Sequence, residues 1–491
     1  MFAGTATPFD KLRAAPATDI TLIMPIKILH IVGLCAAISI LLAIAATVSA
    51  MGDQLQGRKL DQALATTLRK AGFTGRIEST LEARLGRRLN PKLAKIGQLL
   101  WFDTITGLND DNTCAGCHSP THGFGDTQSI AIGIQNNGVV GMHRTGPRNM
   151  RRSPMVINTA FYPRLMWNSR FVALSGDPFN SRAGFSFPLP EGRILSAQSH
   201  LLAAQAFIPP TERTEVTGFD FEGDNDAIRA EMTQRLNQTP AYRILFGSVF
   251  REVREGAPIT FDMFALAISE FEFTLTFANA PIDQFARGQH NALTEDEKRG
   301  ALLFFGKAGC TACHAVDGAS NEMFSDFKDH VIGVPQISPR ETNNTFDGAG
   351  ANEDYGKAQI TGATADRYQF RTSPLRNVAV QSTFMHNGSF TSLEDAVRHH
   401  LNPHASARAY SPAGQHLAAD LVGPMGPIEP VLARLDPLLA QPIPLSDAEF
   451  RQLIAFVRNG LLDPRARPEH LRKLLPPTIP SGRAMLTFEF P

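Results

Sequence analysis

The sequence predicts a mainly α-helical protein with long loop insertions, built around two copies of one helical module, and three observations carry that expectation. The strings Cys114-Ala-Gly-Cys117-His118 and Cys310-Thr-Ala-Cys313-His314 place C-x-x-C-H twice in 491 residues. Similar apolar stretches precede them, Gly97-Gln-Leu-Leu-Trp-Phe102 before the first and Gly300-Ala-Leu-Leu-Phe-Phe305 before the second, which marks an internal repeat. Strand-like alternation is sparse.

C-x-x-C-H is the pattern of covalent haem attachment: two thioethers fix the porphyrin edge and the histidine ligates the iron from the proximal face. Two cytochrome c-type domains, each with one bound haem, are therefore expected. Cys114, Cys117 and His118 would hold the first haem, and Cys310, Cys313 and His314 the second. A pair of C-x-x-C disulfides or one four-cysteine zinc site gives the histidines no role. With 14 His in the chain, chance places one after both pairs only about once in a thousand.

At the N-terminus an apolar run from Ile31 to Val48 follows Lys27 and ends in Val48-Ser49-Ala50, the small residues of a signal-peptidase site. Met24 is the better translation start, and Cys35 would leave with the peptide. A retained membrane anchor is the alternative, because about 18 apolar residues can just span a bilayer. The expected divisions are 1–50 for this segment, 57–290 and 291–462 for the two domains, and 463–491 for an extension. Within the first domain an apolar helix is expected over about Asp262 to Ala278, closed by Pro281. Thr294-Glu-Asp-Glu297 is a capping box that opens the helix leading to Cys310, and Ser446-Asp-Ala-Glu449 opens another that runs to Gly460. The Gly- and Pro-rich stretches 175–192 and 403–442 read as surface insertions. Lys+Arg and Asp+Glu balance at 47 each without a basic run, so nucleic acid is not an expected partner.

Around the two motifs the chain resembles the bacterial di-haem cytochrome c peroxidase superfamily, which includes the enzyme that matures methylamine dehydrogenase. The resemblance spans about Gly97 to Gly460. It rests on Leu-Leu-Trp-Phe-Asp103, Gly123-Phe-Gly-Asp126, Gly146-Pro-Arg-Asn149, Trp167 with Arg170, Gln205 ten residues before Glu215, Phe370-Arg-Thr-Ser-Pro-Leu-Arg-Asn377, and Phe384-Met-His-Asn-Gly388 with Ser392-Leu-Glu-Asp-Ala-Val397. By resemblance, Glu215 is the acid/base that moves a proton during peroxide cleavage, and Gln205 is the amide that orients peroxide. Trp167 is implied as an aromatic bridge between the haems. Calcium is implied at Asn149 with the carbonyls of Gln381 and Thr383, oxygen donors of the kind that ion takes.

The sixth ligand of the second haem follows from periodicity. Leu393, Ala396, Val397 and His400 share one helix face, and His399 is turned about a hundred degrees away. The family carries methionine or tyrosine at the His400 position, and imidazole in its place lowers the reduction potential. At the first haem, Gly141 stands where many relatives have a removable histidine ligand, and Met142 and His143 beside it are the candidate ligands, with an iron open to peroxide as the alternative.

The expected activity is reduction of hydrogen peroxide by a small cytochrome c or cupredoxin in the periplasm. A di-haem oxidase acting on a partner protein or small molecule is the second reading, and a two-haem electron carrier the third. The sequence leaves a homodimer and a membrane anchor open.

Overall fold

A computed structural model describes Ser39, Leu42 and residues 55–490, save 189, 190, 196, 197 and 318–320. Met24, Cys35 and the Val48-Ser49-Ala50 site lie outside the described residues. Of the two compact units, Met1–Lys59 is described at Ser39, Leu42 and 55–59, all helical. All that follows concerns Leu60–Pro491, which is mainly helical and, among the described residues, carries eight strands of two or three residues, paired in twos.

Helix α1 (Pro91–Phe102) starts where the Asn90 side chain accepts from the backbone N–H groups of Lys92 and Leu93, with Pro91 at its first position. It buries Leu93, Ile96, Leu100, Trp101 and Phe102. After the short helix α2 (Leu201–Gln205) comes α3 (Phe261–Thr274), capped by Thr260. That helix stops short of the expected Ala278. The Phe277 N–H donates to the Asn158 side chain and the Ala278 N–H to Glu78, so this backbone has partners outside a helix. Pro281 does not merely close the preceding segment; it occupies the first position of the next short helix, Pro281–Ala286.

Helix α4 (Glu295–Phe305) opens with both capping-box hydrogen bonds between Thr294 and Glu297. Helix α5 (Leu393–Leu401) is capped by Ser392, and α6 (Asp447–Ala455) by the Ser446–Glu449 box. A π-type turn, Phe456–Gly460, prolongs α6.

The repeat seen in the sequence is a repeat of packing. A Cβ on Gly97 would lie 1.8 Å from the Ala267 carbonyl oxygen and 2.9 Å from Phe271 Cβ. A Cβ on Gly300 would lie 1.9 Å from the Gln452 carbonyl oxygen and 2.8 Å from Phe456 Cβ. In both copies a glycine lets two helices touch backbone to backbone. One turn further on, the aromatics meet edge to face: Trp101 on Phe271 at 5.5 Å and 64°, Phe304 on Phe456 at 5.5 Å and 63°.

Two apolar clusters surround these crossings. The first holds Trp101, Phe124, Phe271 and the aromatics of strand β1 (Phe185–Phe187). The 175–192 stretch is thus partly core: β1 pairs antiparallel with β2 (Arg193–Leu195). The 403–442 stretch likewise contains a helix, Pro403–Arg408. The second cluster holds Phe304, Leu393, Phe450 and Phe456. It also takes Leu64, Leu68, Phe73, Ile282 and Phe285, all from the sequence side assigned to the first domain.

Candidate active site

The first motif forms a four-residue helix, Cys114–Cys117, on the wall of a cavity of about 720 Å³ that His118 also lines. The second lines a cavity of about 210 Å³ with His314 and His400. All four cysteines are free thiols. Burial pushes Cys114 and Cys310 up to about 12 and Cys117 to about 11, so they are neutral. The pairs do not converge: among the described residues no three His, Cys, Asp or Glu side chains group as a metal cluster.

The histidines are set as Nε2 ligands. His118 Nδ1 is 2.9 Å from the Pro154 carbonyl, His314 Nδ1 is 3.1 Å from that of Phe324, and His400 Nδ1 is 2.7 Å from that of Ala396. A carbonyl only accepts, so each Nδ1 carries the proton and each Nε2 keeps its lone pair. Burial holds His118 and His314 down at about 4 and lowers His400, which keeps the rings neutral. The His314 and His400 ring centroids are 6.1 Å apart. Two imidazoles on opposite sides of one metal, with bonds of about 2 Å, place their centroids about 6 Å apart. The residues therefore fit two covalent haems, with His314 and His400 both on the second cavity. His399, off the face shared by His400, is buried elsewhere, with Nε2 against the Ile332 carbonyl at 2.7 Å.

Gln205 ends α2 and Glu215 sits in a π-type turn, Arg213–Thr217; both line the first cavity. Such turns widen the helix and often carry functional side chains. Burial, then the neighbouring Glu212 carboxylate, push Glu215 up to about 8 against the pull of Arg170. Arg170 is ion-paired to Glu212. Asn112, not singled out by the sequence, ties this turn to the haem motif. Its Nδ2 donates to the Glu215 carbonyl at 2.7 Å, and its Oδ1 accepts from the buried Arg144 at 2.9 Å. A second missed group is Glu272 on α3, which lines the same cavity with Oε2 unpartnered and is pushed by burial to about 8. Its signal was a carboxylate within the apolar run Phe271 to Phe273.

Trp167 lines both cavities, and its indole N–H donates to the Arg152 carbonyl at 2.8 Å. Met142 and His143 are exposed and line neither cavity; His143 Nδ1 bonds the Glu489 carboxylate at 2.8 Å. That pairing directs His143 to the surface. Asn149 Oδ1 accepts from Asn344, Thr383 Oγ1 donates to the Gln128 carbonyl, and the Gln381 side chain accepts from Arg152.

A family profile described as di-haem cytochrome c peroxidase matches residues 91–291. Methylamine utilization protein MauG of Methylorubrum extorquens is 27% identical over 379 residues, 77% of this chain and 80% of that protein. Cytochrome c551 peroxidase of Pseudomonas aeruginosa is 27% identical over 320 residues, 65% of this chain and 74% of the relative. Among solved structures, a MauG-like protein associated with microbial copper homeostasis superposes with a TM-score of 0.54 at 22% identity, covering 79% of this chain and 93% of that one. The diheme peroxidase BthA from Burkholderia thailandensis gives 0.52 at 23% identity, covering 81% and 91%. With the paired C-x-x-C-H cavities, these likenesses match residues 91–291 to the di-haem cytochrome c peroxidase family and make the chain as a whole similar to its members.

Proposed function

We propose that the protein is a di-haem cytochrome c peroxidase that reduces hydrogen peroxide to water with electrons from a small periplasmic cytochrome c or cupredoxin. The observation that carries this reading is the placement of Glu215 and Gln205 on the cavity that also holds Cys114, Cys117 and His118. Haem, when bound, supplies the redox chemistry. Cys114 and Cys117 would hold it by thioethers and His118 by Nε2. In the second cavity Cys310, Cys313, His314 and His400 would do so, giving each half, 57–290 and 291–462, the character of a cytochrome c domain.

Glu215 takes the proton from one peroxide oxygen and returns it to the leaving oxygen, a double task suited to one carboxyl group. The Gln205 amide donates a hydrogen bond that orients the peroxide. Trp167 fills the wall between the cavities with an aromatic ring and shortens the path for electrons. With His143 held at the surface by Glu489, that loop places no histidine against Glu215, and peroxide needs no prior reductive step to enter. Calcium would be held by Asn149 with the backbone carbonyls of Gln381 and Thr383. Export to the periplasm through the segment before residue 51 belongs to the same reading; no helix among the described residues is long and apolar enough to cross a membrane.

The second reading is oxidation of a partner protein or small molecule. A donor assay separates the two. Reduced cytochrome c or cupredoxin is expected to lose two electrons per peroxide, and Glu215→Gln to slow this at least about a hundredfold. A protein that leaves both donors reduced while a partner becomes oxidised is the oxidase. Two six-coordinate haems inert to peroxide mark a carrier.

A further inference from the structure

Two guanidinium groups stand in the wall shared by both cavities without a carboxylate partner among the described residues. Arg152 and Arg371 are each 4% exposed, and each lines both cavities. Arg152 donates through Nη2 to the Gln381 side chain, and its Nε has no partner among the described residues. Arg371 donates Nε to the Met166 carbonyl at 3.1 Å and Nη1 to that of Thr372 at 3.2 Å. The acids that influence them are committed elsewhere. Asp126 accepts from the backbone N–H groups of Ser153 and Gln128, and Asp329 pairs with Arg164 and Lys357 at 3.4 Å each. A buried cation without a counter-charge is costly unless something supplies one. Haem brings two propionate carboxylates, and a guanidinium matches a carboxylate with two parallel hydrogen bonds.

We propose that Arg152 and Arg371 form a carboxylate-binding site between the cavities and hold propionate groups of the haems on either side. The inference rests on two haems being bound. Trp167 is locked into the same wall, its indole N–H on the Arg152 carbonyl at 2.8 Å and its own carbonyl accepting the Arg371 N–H at 2.7 Å. Positive charge beside a haem favours the reduced state, which offsets the lower potential that His400 brings.

The test is a spectroelectrochemical titration of the holoprotein, with haem counted first. In Arg152→Gln, still carrying two haems, the ratio of reduced to oxidised haem at a fixed potential is expected to fall about tenfold for at least one haem. Arg152→Lys, which keeps the charge, is expected to fall less. Unchanged midpoint potentials in a two-haem Arg152→Gln protein overturn the inference. A wild-type protein without two haems overturns the functional reading instead. If Arg152→Gln does not fold, resonance Raman on the wild type decides. Propionate bending bands at hydrogen-bonded frequencies support the site, and bands at the unbonded position overturn it.

Discussion

Glu215 and Glu272 are two carboxyls on one cavity, and burial pushes each to about 8, with opposite consequences for rate and stability. A step that needs the Glu215 carboxylate gains as pH rises through about 8 and levels off above it. Initial peroxide turnover is expected to follow that limb, and Glu215→Gln to flatten it. Glu272 is ionised in the unfolded chain above about 4.5 but neutral in the fold up to about 8, so it lowers stability progressively across that window. Thermal melts of Glu272→Gln are expected to gain on wild type from about 4.5 to about 8, with no further gain above; a constant offset across pH contradicts the burial argument. His400→Gly is expected to turn one low-spin haem signal high-spin, read by absorption, because the His400 ring faces that of His314 at 6.1 Å. His400 was legible because helical periodicity separates it from His399. Asn112, Arg144 and Arg152 were not, because their roles come from partners brought close by the fold: Arg144 meets Asn112 across 32 positions.

Among elements, the helix starts were legible and the helix partners were not. Capping boxes at Thr294 and Ser446 are local chemistry and appear as read. The end of α3 was misplaced because Asn158 and Glu78, far away in sequence, take the backbone N–H groups of Phe277 and Ala278. The strands escaped notice for a simpler reason: runs of two or three residues are too short to show alternation. Gly97 and Gly300 were visible as matching letters, but their purpose needed Ala267 and Gln452. Gly97→Ala and Gly300→Ala each press a methyl into a carbonyl, and each is expected to cost at least about 1–3 kcal/mol, measured by thermal or denaturant unfolding of the holoprotein. A neutral result at both glycines contradicts the duplicated crossing.

At the scale of the whole molecule, segments distant in sequence are fastened by charge and by the C-terminal segment. Arg376 and Asp283, both fully buried, form a two-pronged ion pair at 2.7 and 2.8 Å that ties the short helix Pro281–Ala286 into the second cluster. The C-terminal segment returns to the first cluster, where Ser481 bonds Asp103 and Phe488 packs on Phe102 at 5.6 Å. The extension at 463–491, featureless as sequence, thus covers the first helix of the first module. The repeat and the haem motifs announced two sites, and the residues around them already read as unequal, with Glu215 by the first and His400 by the second. The fold adds that Glu215 lines the cavity of His118 and that His400 lines the cavity of His314. Electron paramagnetic resonance of the oxidised holoprotein tests that inequality most directly. Equal amounts of one low-spin haem with two imidazole ligands and one high-spin haem that reacts on adding peroxide are expected; two low-spin haems, both unchanged by peroxide, contradict the account.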